Sequence, residues 1–169
     1  MDLVVRKATW TDVPAIHEIT QIAFQKYANE LGMPEQVSAL SETEEMIYQD
    51  LQTKTILIAF LNGEPVGSIR YEIIDGHIGY ITRFGVRPDI HNKGIGRALI
   101  SAVEEDAKQK GVTLLTLHTA SKITHLIRFY YGMGFYILST STDRGYVRAL
   151  LCKELSQESA MQLDLVNIK

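Results

Sequence analysis

The chain of 169 residues has a single cysteine, a single tryptophan and four prolines, and it carries no surplus of positive charge. One cysteine, Cys152, excludes an intrachain disulfide and any multi-cysteine zinc site, which fits a reducing compartment. It lies in the apolar run Ala149-Leu150-Leu151-Cys152 and so reads as a small buried hydrophobe rather than a nucleophile. A formal charge of −3, with no long run of Lys or Arg, argues against a nucleic-acid or anionic-membrane surface. No segment reaches the roughly 18 apolar residues that a membrane span needs, and the N-terminus lacks an apolar stretch after a basic cluster. A cytoplasmic protein with neither a nucleic-acid nor a membrane partner is expected. His17, His77 and His125 do not stand at metal-ligand spacing, so no metal is expected either. No Ser or Thr has the setting of a nucleophile elbow, which speaks against a covalent acyl-enzyme.

What is present is an ordinary globular composition, 46% apolar and 22% charged, long enough to bury a core unaided. It predicts one domain over residues 1–155 and a C-terminal tail over 156–169. Residues 3–8 read as a strand, after which Thr9 to Asp12 supply caps for a helix carrying Val13, Ile16, Ile19, Ile22 and Ala23 at helical spacing. That helix ends near Gly32. Ser41-Glu42-Thr43-Glu44 has capping-box spacing and opens a second helix with Met46, Ile47 and Leu51 as its apolar side. Strands over 55–61, 66–74 and 78–86 are joined by Asn62-Gly63 and Asp75-Gly76, both hairpin signals, so they form an antiparallel meander. This excludes an all-parallel dinucleotide-binding sheet. Residues 96–110 are an amphipathic helix stopped by Gly111; a strand over 112–118, a helix over 123–132 and a hairpin of strands over 135–139 and 146–155 complete the pattern.

Between the third meander strand and its following helix lies His91-Asn92-Lys93-Gly94-Ile95-Gly96-Arg97, preceded by Val86-Arg87-Pro88. Helix N-termini carry unpaired N–H donors and partial positive charge, and glycines there admit an anion close to the backbone. An isolated Gly-x-Gly can equally be plain turn chemistry, so the rest of the chain has to decide.

It does so through two motifs in order. His91-Asn92-Lys93-Gly94-Ile95-Gly96 resembles the acyl-CoA turn Q/R-x-x-G-x-G/A of the GNAT superfamily of N-acetyltransferases, and Tyr130-Tyr131-Gly132-Met133-Gly134-Phe135 resembles its Y-x-x-x-G-F helix end. The resemblance covers roughly residues 3–155. It implies an α/β (α+β) fold of the GNAT type: a central mixed, mostly antiparallel sheet of about seven strands flanked by about four helices, splayed where the acyl-CoA arm inserts. It also implies acetyl-CoA as cosubstrate, with the pyrophosphate on the amides of Asn92, Lys93, Gly94, Ile95, Gly96 and Arg97 and a side-chain contact to the cofactor from His91. The backbone of Phe84, Gly85 and Val86 would pair with the pantetheine arm in the manner of an added strand. Two positions depart from the family pattern: His91 replaces the usual Gln or Arg, and Ile123 stands where many relatives have Asn.

Acyl transfer from a thioester to an amine needs a neutral amine, a donor for the tetrahedral oxyanion and a proton for the departing thiolate. The resemblance puts Tyr130 where relatives protonate the thiolate, with a backbone N–H near Phe84 to Val86 as oxyanion donor. His118 stands twelve residues before that tyrosine, where relatives that acetylate protein N-termini have a Glu base. It is either a base or a structural histidine. Histone-type relatives place a Glu base at the position of Tyr80; Glu72 and Tyr80 are second choices acting through water. Acceptor specificity is expected from residues 24–36 and 140–146. Phe24, Tyr27, Glu30 and Met33 there are either a mixed apolar and acidic pocket for a cationic amine or ordinary helix packing. The expected activity is acetyl transfer from acetyl-CoA to a primary amine of a small molecule or peptide by direct attack; the alternative is a non-catalytic acyl-CoA-binding or sensing module. A homodimer through the final hairpin is compatible with the pattern.

Overall fold

In a computed structural model, which describes residues 1–90 and 93–156, eleven regular elements follow one another. They are β1 (Leu3–Lys7), α1 (Val13–Leu31), α2 (Glu44–Thr53), β2 (Thr55–Leu61), β3 (Glu64–Ile74), β4 (Ile78–Val86), α3 (Ile95–Gln109), β5 (Leu114–Ala120), α4 (Thr124–Gly132), β6 (Tyr136–Ser141) and β7 (Arg148–Glu154). The strands form one seven-stranded sheet in the order β1-β2-β3-β4-β5-β7-β6. Every neighbouring pair is antiparallel except β4 and β5. This is the mixed, mostly antiparallel sheet with four helices that the family resemblance implies. The meander over β2 to β4 follows from its turns: Asn62 and Gly63 both take positive φ, at 51° and 84°, as a two-residue hairpin turn requires.

Helices cover both faces, and the two-residue alternation of β2 serves both. Ile56 and Ile58 join Val13, Ile16 and Ile47 under α1 and α2, whereas Leu57 and Ala59 face Leu99, Ile100 and Val103 of α3. α1 lies tightly against β4, since a Cβ on Gly85 would stand 2.9 Å from the Cβ of Ala23. That close approach carries Phe24 and Tyr27 to the open part of the sheet.

Several boundaries differ from the sequence pattern, β3 beginning at Glu64 and β6 ending at Ser141 among them. α2 is capped by Thr43, whose Oγ1 accepts from Met46 N at 3.3 Å. Met46 is left exposed while Ile47 is buried. The reason is Glu42, which turns inward to Arg70 instead of joining a box begun at Ser41. β5 begins at Leu114, because Thr113 N donates to His77 O at the end of the preceding turn. β7 begins at Arg148, with the turn before it extending from residue 142.

Candidate active site

β4 and β5 start side by side and then part. Their parallel register runs from Ile78↔Leu114 to Ile81↔Leu117 and goes no further, although β5 continues to Ala120 and β4 to Val86. The parting follows from a bulge. On β3, Ser68 pairs with Gly85 and Arg70 with Thr82, so Arg83 and Phe84 together oppose Ile69 alone. Arg83 takes φ 49°, a left-handed conformation that costs a non-glycine residue about 1 kcal/mol or more.

Side chains hold that bulge. Arg70, fully buried on β3, donates to Glu42 from Nη1 at 2.7 Å and Nη2 at 2.6 Å, and to Asp50 Oδ2 from Nη1 at 2.8 Å. Arg83 Nε completes the cluster on Glu42 Oε2 at 3.2 Å. Burial pushes the Glu42 carboxyl up, but the Arg70 and Arg83 guanidiniums outweigh it and hold its pKa below the ordinary carboxylate value.

A cavity of about 590 Å³ opens at the gap. Thr82 to Val86 of β4 line it, as do His118 and Thr119 of β5, Tyr130 of α4, Phe24, Tyr27 and Glu30 of α1, and Arg144, Tyr146 and Arg148 of the β6–β7 hairpin. Tyr130 is buried among Phe84, Phe129 and Phe135. Burial, reinforced by Tyr27 nearby, pushes its phenol well above the ordinary tyrosine value, so it is a proton-bearing donor at neutral pH. His118 Nδ1 is 2.6 Å from the Tyr80 hydroxyl. The Tyr80 pKa is raised by burial, against which the Arg148 and Arg144 charges work.

The remaining candidates separate. Phe24, Tyr27, Glu30 and Tyr80 line the cavity; Met33 and Glu72 do not. Met33 lies instead near the turn at Gly145, and Glu72 pairs in register with Tyr80 across the meander. Tyr27 accepts a hydrogen bond from Ala120 N at 3.0 Å, which ties α1 to the end of β5. Glu30 is engaged by His125 of α4, at 2.6 Å, and by Lys26, at 3.4 Å. His17 meets Glu42 O at 2.9 Å and His77 meets Asp75 O at 2.8 Å. Among the described residues no cluster of three metal-ligating side chains occurs, and no helix is long and apolar enough to cross a membrane.

At the other end of the gap, Gly94 caps α3 with φ 70°, leaving the first-turn N–H groups of the helix uncapped by any side chain. Lys93 and Arg97 are exposed beside it, and Arg87 lines the cavity. Gly96 is explained differently from the anion approach expected for it. Its Cβ would meet Phe129 at 3.2 Å and Phe84 at 3.3 Å, so its smallness seats two aromatic rings. His91 and Asn92 lie outside the described residues, as does the tail beyond Ser156. Ile123 is buried at the cap of α4.

Arg144 and Tyr146 fall within the stretch 140–146 expected to set acceptor specificity and Arg87 within Val86-Arg87-Pro88, whereas neither motif nor spacing points to Arg148 or Phe129. For Arg148 a signal existed: it is a charge at the head of the otherwise apolar Ala149-Leu150-Leu151-Cys152, which is buried throughout.

Sheet, parting and cavity together define an α+β architecture of acyltransferase type. The chain belongs to the acetyltransferase (GNAT) family, whose sequence model matches residues 14–135. It is 29% identical over 143 residues to the uncharacterized protein YyaT of Bacillus subtilis (strain 168), covering 84% of this chain and 90% of that one. Its fold matches PaiA N-acetyltransferase from Thermoplasma acidophilum in complex with coenzyme A, with TM-score 0.81 and 20% identity over 91% of this chain and 99% of that one. It also matches a GNAT family acetyltransferase from Elizabethkingia anophelis with acetyl-CoA bound, with TM-score 0.66 and 20% identity over 90% of this chain and 97% of that one.

Proposed function

We propose that this protein is an acetyl-CoA-dependent N-acetyltransferase that acts on a primary amine by direct attack within a ternary complex. The observation that carries the reading is the meeting of Tyr130, His118 and the unpaired edge of β4 in one cavity at the parting of the sheet. The gap fits an extended, phosphate-bearing cosubstrate. Thr82 to Val86 have no strand partner on the β5 side, and Thr82 Oγ1 is buried there without a hydrogen-bond partner. The first turn of α3 after Gly94, with Lys93 and Arg97, would hold the phosphates. Acetyl-CoA supplies the activated acetyl group as a thioester.

In this reading His118, positioned by Tyr80, takes the proton that leaves the ammonium of the acceptor. A backbone N–H between Phe84 and Val86 donates to the oxyanion as the C–N bond forms. Tyr130 gives its proton to sulfur as the C–S bond breaks and is reprotonated by the second proton that leaves the nitrogen as the amide forms. A phenol kept protonated by burial suits that last task.

Replacing Tyr130 with Phe tests the assignment. Release of free thiol should fall about a hundredfold in kcat, the usual scale of general-acid loss, with CoA affinity retained. Tight CoA binding by the wild-type protein without turnover of any amine would favour a sensing module instead.

A further inference from the structure

Positive charge at the acceptor end of the cavity is unbalanced. Arg148 is 7% exposed and lines the cavity, and its Nε and Nη2 are enclosed without any hydrogen-bond partner. Arg144 lines the same wall from the turn before β7. Among the described residues no carboxylate forms an ion pair with either. Asp143, on the same turn, feels the charges of both arginines but is exposed to solvent and pairs directly with neither, and Glu30, the one carboxylate among the described lining residues, is already committed to His125 and Lys26. A desolvated guanidinium with no carboxylate bonded to it and two donors unmet is unfavourable, and the cavity is the side from which a closer anion can arrive.

We infer that the acceptor is itself acidic: a small amino acid whose carboxylate is taken by Arg148, with Arg144 assisting, while its amine is presented to His118. The inference rests on the acetyltransfer reading and names the substrate class of the same site. A carboxylate matches the planar fork of a guanidinium bidentately. Arg148 is close enough to act on the Tyr80 phenol, and Tyr80 in turn reaches His118 at 2.6 Å. Acid and amine must therefore sit a few bonds apart on one molecule. A peptide N-terminus whose first residue is not acidic, its own carboxyl being an amide, does not meet that demand, and neither does a polyamine.

The test compares the common amino acids with their primary amides, in thiol release with acetyl-CoA and in calorimetric binding to the CoA-loaded protein. Expected is a preference for the acid of about tenfold or more, expressed in KM and in affinity, as a charge-assisted pair with a buried arginine supports. Arg148→Gln should abolish that preference, and Arg148→Lys should restore part of it. Arg144→Gln, on an exposed turn, should weaken it and serves if the Arg148 variants do not fold. Equal binding of acid and amide, no binding of any acid, or a preference untouched by these variants overturns the inference. Turnover of amides as good as that of acids sinks it while leaving the acetyltransferase reading intact. Selective acid binding without any turnover does the reverse.

Discussion

Two buried arginines sit on strands of the same sheet and are treated in opposite ways. Arg70 on β3 is matched by Glu42 and Asp50, and through Glu42 is joined to Arg83. Arg70 leaves one donor, Nε, unpartnered; Arg148 on β7 leaves two, has no carboxylate bonded to it and lines the cavity. The first charge is cancelled within the protein, and what it secures is backbone shape: the bulge that parts β4 from β5. The second is met only by the exposed Asp143 at a distance, and the side of it that opens on the cavity is available to something that binds. Burial alone therefore does not tell a structural ion from a recognising one; the partner count does.

Stability measurements can break this contrast. Arg70→Met strands Glu42 in the interior with Arg83 alone, and should cost about 3–5 kcal/mol in urea unfolding, the scale for removing one partner of a buried pair. A loss below about 1 kcal/mol would make the two arginines equivalent. A smaller effect is expected from acid. The folded-state pKa of Glu42 lies below its ordinary 4.5, so the unfolded chain binds its proton first as pH falls. The contribution of Glu42 is present in full above that value and is lost as pH drops through the folded one. Unfolding midpoints between pH 6 and pH 3, as order-of-magnitude bounds on that window, should thus fall more steeply for the wild type than for Glu42→Gln. Gly96→Ala presses on Phe129 and Phe84 and should cost about 1–2 kcal/mol, with weakened CoA binding. Arg148→Met, the smallest, should change stability by less than about 1 kcal/mol or raise it, because the arginine it removes has no ion-pair partner to abandon.

The meander, the helices and the glycine turn were legible in the sequence because each rests on local chemistry. Asn62-Gly63 sets a turn by its own φ angles, and Leu99, Ile100, Val103 and Ala107 mark a helix face by spacing alone. Tyr130 and His118 were legible only through the family motif, and the structure brings both to one cavity. What stayed hidden depends on contacts between distant segments. Glu42 looked like part of a capping box because its partner lies 28 residues away on another strand. Arg148 was masked because sequence alternation cannot say whether a charge beside an apolar run meets solvent, a carboxylate or an empty space. Met33 was drawn into the pocket by proximity in sequence, whereas the turn at Gly145 takes it up instead.

The early end of the β4–β5 pairing at Ile81 and Leu117 has a consequence for how such a protein can change over time. One wall of the opening is drawn in main chain, which most substitutions leave untouched. The other is drawn in side chains carried by α1 and a hairpin turn, where a single replacement alters charge and shape together. The donor half is thereby sheltered from mutational drift while the acceptor half remains free to explore. On the proposed reading, a lineage, or an engineer, could exchange one amine for another by editing residues 144–148 and the facing turns of α1, without rebuilding the half that would carry the acetyl group.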